Sequence, residues 1–131
     1  MTELPEMKLE LVPIPLSDIE RAKSFYVDKV GFHLDHDTQP GNGMHIIQLT
    51  PPGSGCSILL SRGLGEISDM TPGSVKGLHL VVKDVATTRD LLISRGVEMG
   101  DITVYPRGIK YAGFSDPDGN SWTLQEIPPN L

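Results

Sequence analysis

Cysteine occurs once in this chain, at position 56, so no disulfide can close within it. With no activating partner evident nearby, Cys56 reads as a buried structural thiol rather than a nucleophile. Basic residues are few and scattered. The 11 Lys and Arg stand against 17 Asp and Glu, and the net charge of −6 excludes nucleic acid and anionic membranes as partners, because both need clustered cations. No apolar run approaches the roughly 20 residues that cross a bilayer. The opening residues MTELPEMK lack the basic-then-apolar order of an export signal, so a cytoplasmic protein is the expectation. Nucleophile constellations, phosphate-cradling glycine loops and Cys/His zinc spacings are also missing, since Gly53-Ser-Gly55 reads as a turn between strands.

What the chain has is turn chemistry spaced between short apolar stretches. The 131 residues suffice for one domain, 1–131, with a real core. Lys8 to Leu16 is extended, because Pro13 and Pro15 forbid a helix interior. Ser17 and Asp18 then offer N-cap oxygens to a helix in which Ile19, Ala22, Phe25, Tyr26 and Val30 keep helical spacing until Gly31 ends it. Glu20, Arg21, Lys23, Asp28 and Lys29 fit its exposed face. Phe32 to Asp37, Met44 to Thr50 and Cys56 to Ser61 read as strands, and residues 63–75 as a linker. Beyond it, Leu78 to Val82 is a strand, Asp84 caps a second helix and Gly96 ends that helix. Val97 to Val104, Ile109 to Phe114 and Ser121 to Ile127 make three more strands. The last two flank the hairpin turn Asp116-Pro-Asp-Gly-Asn120, where Pro117 presets φ and Gly119 supplies φ > 0.

The second half repeats the first. Asp18 and Asp84, Gly31 and Gly96, and Gly55 and Gly119 correspond at offsets of 64 to 66 residues. Two copies of one βαβββ unit, residues 7–62 and 76–128, account for that spacing. The runs VPIPLSDIERAKSFY (Val12–Tyr26), KVGF (Lys29–Phe32) and FSDPDGN (Phe114–Asn120) carry a further reading. Within the duplicated unit they resemble the vicinal oxygen chelate superfamily of glyoxalases, bleomycin-resistance proteins and extradiol dioxygenases. The resemblance implies an α+β fold of duplicated βαβββ modules, a curved, barrel-like mixed sheet with the helices outside. It also implies a small-molecule ligand and a homodimer.

In metal-dependent members the resemblance assigns the ion's ligands to the first and last strands of each module, which here gives Leu11, Leu59, Gly77 and Thr123. Three of these have no side-chain donor and the fourth has only a hydroxyl, so no metal and no other cofactor is expected at the usual position. A displaced divalent metal is the alternative. His79, two residues beyond Gly77, shares its face by strand alternation, and three roles stay open for it: a hydrogen-bonded core histidine, an acid–base or ligand-binding group, or a metal ligand. Thr123 and Gln125 are placed on the same face, where each either contacts a ligand or bonds across strands, and Tyr111 either packs with a wet tip or presents its hydroxyl to the cavity. The ligand-binding set is therefore Leu11, Leu59, Gly77, His79, Tyr111, Thr123 and Gln125, with His79 as the one catalytic candidate. His45 and Gln48 lie on opposite faces of one strand, and His33-Leu-Asp-His36-Asp37 reads as a solvated strand end. The expected function is to bind or sequester, or to transform, a partly apolar metabolite or antibiotic. The alternative is a metal-dependent lyase, isomerase or dioxygenase.

Overall fold

The computed structural model describes residues 3–130. Both helix starts use the same device. Asp18 heads α1 (Ile19–Ser24) and accepts the Arg21 N–H; Asp84 heads α2 (Val85–Ser94) and accepts the Thr87 N–H. Each cap satisfies one of the amides that the first turn of its helix leaves unpaired. The Thr87 amide also holds the Asp84 carboxyl below its ordinary range. Gly31 and Gly96 terminate the two helices at φ +91 and φ +93, in the left-handed region that ends a helix without a side-chain penalty.

Past Ser24 the first helix departs from the α geometry that its spacing predicts and widens into π-helical turns over Phe25–Val30. The wider turn lets two adjacent aromatics, Phe25 and Tyr26, both enter the core. Arg95, at the end of α2, then donates to the Asp28 and Lys29 carbonyls, both at 2.7 Å. It thereby satisfies carbonyls that the end of the first helix leaves unpaired.

The strands are β1 (Leu11–Pro13), β2 (His33–Gly41), β3 (Met44–Thr50), β4 (Ser57–Arg62), β5 (Leu78–Val81), β6 (Thr103–Val104), β7 (Lys110–Ser115) and β8 (Ser121–Glu126). They form two four-stranded sheets of matching order, β1-β4-β3-β2 and β5-β8-β7-β6, in which β1–β4 and β5–β8 pair in parallel and the rest antiparallel. The sheets are curved but do not close as a barrel.

Two expected strands are cut short. Pro13 and Pro15 cannot donate to a ladder, which leaves three residues in β1. Of Val97 to Val104 only Thr103 and Val104 pair in a strand, while Gly100 holds a single bond to the Gly113 carbonyl at 2.8 Å. The outer strand β2 runs longer than expected, through Pro40 to Gly41, with register shifts after Leu34 and Thr38.

One face of each sheet packs against the helices. Ile47, Leu49, Ile58 and Leu60 of the first sheet and Ala112, Phe114, Trp122 and Leu124 of the second are buried there with Ala22, Tyr26, Val85 and Leu92. Five of the chain's seven aromatics gather in this core: Tyr26 contacts Phe25, Phe32 and Trp122, and Phe114 stacks on Trp122. Ile127, expected as the last residue of the final strand, lies just past its end and is exposed.

The Asp116–Asn120 turn is tied to the other half of the chain. Asp116 Oδ1 accepts the N–H groups of Asp118 and Asn120, and its Oδ2 accepts the Tyr26 hydroxyl at 2.7 Å and the Asn120 amide at 2.8 Å. Asn120 also donates to the Pro15 carbonyl at 2.8 Å, and Asp118 receives the Ser17 N–H and hydroxyl. Burial first, then the Asp116 carboxylate, holds the Tyr26 phenol well above its usual value of 10. The linker is pressed onto the same turn: Gly73, at φ +82, lies where a Cβ would overlap the Asp118 carbonyl.

Among the described residues no helix is long and apolar enough to cross a membrane.

Candidate functional site

The sheet faces that carry no helix hold the remaining chemistry. Strand alternation sends Leu78, Leu80, Trp122 and Leu124 toward the core, which turns His79, Thr123 and Gln125 to the free face of the second sheet. Register sets His79 opposite Thr123, Tyr111 opposite Gln125, and Gly113 opposite Thr123.

Four expected site residues therefore come together. The His79 and Tyr111 rings meet edge to face with centroids 5.8 Å apart, and Gln125 Nε2 donates to the Tyr111 hydroxyl at 3.2 Å. Tyr105, the other aromatic outside the core, sits edge-on to Tyr111 at 5.2 Å. His79 is exposed, with Nδ1 2.7 Å from the Gly77 carbonyl, so of its three open roles the buried core histidine is not the one the fold adopts.

Gly77 lies just before β5 and donates its N–H to Ser121 Oγ at 2.8 Å. A side chain there would meet nothing within 4 Å, but φ +73 would strain any residue with a Cβ. Leu11 and Leu59 stand apart from this group. They lie on the free side of the first sheet, Leu11 opposite Ser57 and Leu59 opposite Pro13, with Leu59 buried. The cleft on the second sheet, about 700 Å³, is lined by Met99, Gly100, Gly113, Ser115, Ser121 and Thr123 among others; of the expected site residues only Thr123 reaches it. A separate crevice of about 340 Å³ runs from His79, Leu80 and Val81 to the turn at Pro51–Ser54.

The free face of the first sheet holds a polar chain that the sequence pattern concealed. Asp35 shares the face of His33 and accepts the Thr50 hydroxyl, while a shift in the β2–β3 register after Leu34 brings His36 to this face as well, opposite Gln48. Thr50 meets the Ser57 hydroxyl at 2.6 Å, and Gln48 Nε2 donates to Ser57 at 3.2 Å. Gln48 is thus the member of the His45/Gln48 pair on this side.

His45 faces the opposite way. Its Nε2 lies 2.7 Å from Asp37, whose other oxygen accepts from Lys23 Nζ at 2.6 Å. The Asp37 carboxyl is lowered by the Lys23 hydrogen bond and then by the one to His45, and Lys23 is raised by the same contact. Asp37 is therefore part of an ion pair rather than a free solvated end. The only sequence signal was its distance from Lys23, which says nothing without the register. Cys56, expected to be buried, is half-buried, with its thiol 3.6 Å from the Ser57 carbonyl.

The donor set at the family's metal positions does not suit an ion. Leu11, Leu59 and Gly77 bring no side-chain donor and Thr123 brings a hydroxyl. Among the described residues no group of three or more His, Cys, Asp or Glu is placed to hold one. What the second face offers is an imidazole, a phenol, a hydroxyl and an amide over a floor of small residues. Such groups orient a ligand through a few hydrogen bonds beside apolar surface.

Comparison with known proteins bears on the whole chain. The model of the Glyoxalase/Bleomycin resistance protein/Dioxygenase superfamily matches residues 8–124. TnmS3, an antibiotic binding protein from Streptomyces sp. CB03234, is 36% identical over 96% of this chain and 100% of its own, with a TM-score of 0.82. A glyoxalase/bleomycin resistance protein from the same Streptomyces is 38% identical, covering 89% of this chain and 98% of its own, at a TM-score of 0.73. A superfamily member from Sphaerobacter thermophilus DSM 20745 is 31% identical over 92% and 98%, at 0.78. No curated protein matches the chain.

Proposed function

The chain belongs to the Glyoxalase/Bleomycin resistance protein/Dioxygenase superfamily, and within it we propose that this member binds or sequesters a small, partly apolar molecule, such as an antibiotic, without a metal at the usual position. The observation that carries the reading is the free face of the second sheet. The places where a metal-dependent relative needs imidazole or carboxylate donors hold Gly77 and Thr123, with hydrogen-bonding groups on the same face and an open cleft of about 700 Å³ that reaches Thr123. The likeness to TnmS3 over nearly the whole chain supports an antibiotic as the ligand class.

The free face of the second sheet lies open, and a homodimer that sets one copy's first sheet over another's second sheet accounts for the separation of Leu11 and Leu59 from His79. Light scattering on the eluting protein tests this, and a clean monomer of 14.3 kDa would count against it.

Native mass spectrometry of the purified protein, followed by calorimetric titration against a panel of antibiotics, tests the function. A bound organic molecule displaced by Thr123→Phe is the expected result. Stoichiometric divalent metal lost with His79→Ala would replace this reading with a metal-dependent one.

A further inference from the structure

The protons on the free face of the second sheet follow from which groups can accept. The Gly77 carbonyl, 2.7 Å from His79 Nδ1, has no hydrogen to give, so Nδ1 carries the proton and Nε2 of the neutral imidazole keeps its lone pair. The Tyr111 hydroxyl already accepts from Gln125 Nε2, which leaves its own O–H to be donated elsewhere. With the rings edge to face at 5.8 Å, one patch presents a fixed acceptor beside a fixed donor.

We propose that His79 and Tyr111 form a recognition pair for ligands whose polar end joins a carbonyl to a neighbouring N–H or O–H, as in a carboxamide, a lactam or a hydroxy-ketone. Tyr111 donates to the carbonyl, and the ligand's N–H or O–H donates to His79 Nε2. The apolar body of such a ligand has a place to lie, because the crevice beside His79 is walled by Pro51, Pro52, Leu80 and Val81. An ester lacks the donor and a carboxylate offers only acceptors, so each leaves Nε2 unpaired. The inference rests on the small-molecule-binding reading and narrows it to a chemical class.

Three probes with one apolar body test the pair: 2-naphthamide, methyl 2-naphthoate and 2-naphthoate, titrated into the protein and followed by amide NMR shifts. Long-range proton–nitrogen spectra read the His79 tautomer independently. The expected results are an Nδ1–H tautomer and binding of the amide about tenfold tighter than the ester, with the carboxylate no tighter than the ester. His79→Phe, which keeps a ring, should bring the amide-to-ester ratio close to one. Tyr111→Phe should weaken both and leave the ratio in place. An Nε2–H tautomer, equal affinities in the unaltered protein, or a ratio that survives His79→Phe would overturn the pair. If none of the probes moves a resonance on β5, β7 or β8, the pair is likewise overturned, while the broader reading is decided separately by the antibiotic panel.

Discussion

Replacing Tyr26 with Phe removes one oxygen from a buried junction and keeps the ring. That oxygen donates to Asp116 Oδ2 at 2.7 Å and accepts from Trp122 Nε1 at 3.0 Å, and Tyr26 and Trp122 are 0% and 3% exposed. Without it the indole N–H has no acceptor, which costs about 1–3 kcal/mol for a buried donor, and Asp116 loses a charge-assisted bond of about 1.5–3 kcal/mol. The remaining Asn120 contact on Oδ2 offsets part of the second loss, so a net destabilisation of about 3 kcal/mol is expected. An unfolding entropy near 2.1 cal/mol/K per residue gives about 0.28 kcal/mol/K for this chain, and the midpoint should fall by about 11 °C. Calorimetry on the two proteins measures it directly. A double-mutant cycle with Asp116→Asn should show that the two losses are not additive. A midpoint within about 2 °C of the parent would mean that the hydroxyl is not the link between the two halves of the chain.

Other consequences follow from the same geometry. Trp122→Ala, a truncation in the aromatic core, should cost about 3–5 kcal/mol in urea unfolding, whereas Thr123→Ala on the next residue should leave stability nearly unchanged and alter ligand affinity; the reverse pattern would place the wrong face inward. The Asp37 carboxyl is depressed in the folded protein, so its contribution is present above the unfolded value near 3.8 and is lost as pH falls through the folded one. The midpoint difference between the parent and Asp37→Asn should therefore be full at neutral pH and shrink below about pH 4; a difference that persists at pH 2 would refute the pairing. Lys23 is raised, so its contribution is lost only as pH rises past 10.5. Treatment with a chelator should change neither the thermal midpoint nor the affinity for a co-purified ligand, and a drop in either would point to a bound ion.

Periodicity and punctuation carried the architecture, because they act locally. Asp18 and Asp84 bond amides three residues ahead, and Gly31 and Gly96 stop their helices through their own backbone angles. Alternation also sorted β8 correctly, with Trp122 inward and Thr123 outward, since a pleated strand leaves no other arrangement. What stayed hidden depends on partners far away in the chain. The turn at Asp116 was legible as a turn, but not as an anchor for Pro15, Ser17 and Tyr26. His36 shares a face with His33 and Asp35 because one register shift cancels the alternation that would separate them. The shared face of His79, Thr123 and Gln125 could be anticipated, because the family resemblance sets which way Gly77 and Thr123 point and alternation carries that to their neighbours. The distance of Leu11 and Leu59 from them could not, because it depends on how two sheets from one chain are set beside each other.

The bonds that fasten the Asp116–Asn120 turn to Pro15, Ser17 and Tyr26 also impose an order on synthesis. A chain emerging from the ribosome presents Pro15 and Tyr26 long before residues 116–122 exist, so the first half is made while its hydroxyl acceptor, its amide donor and its indole neighbour are still missing. Until then Phe25, Tyr26 and Phe32 have no Trp122 or Phe114 to cover them, and they present a sticky aromatic surface to solvent or to a chaperone. Completion waits for the last strand. A chain stopped before Asp116 would therefore hold 115 of the 131 residues and still lack Trp122 and the turn that close its core.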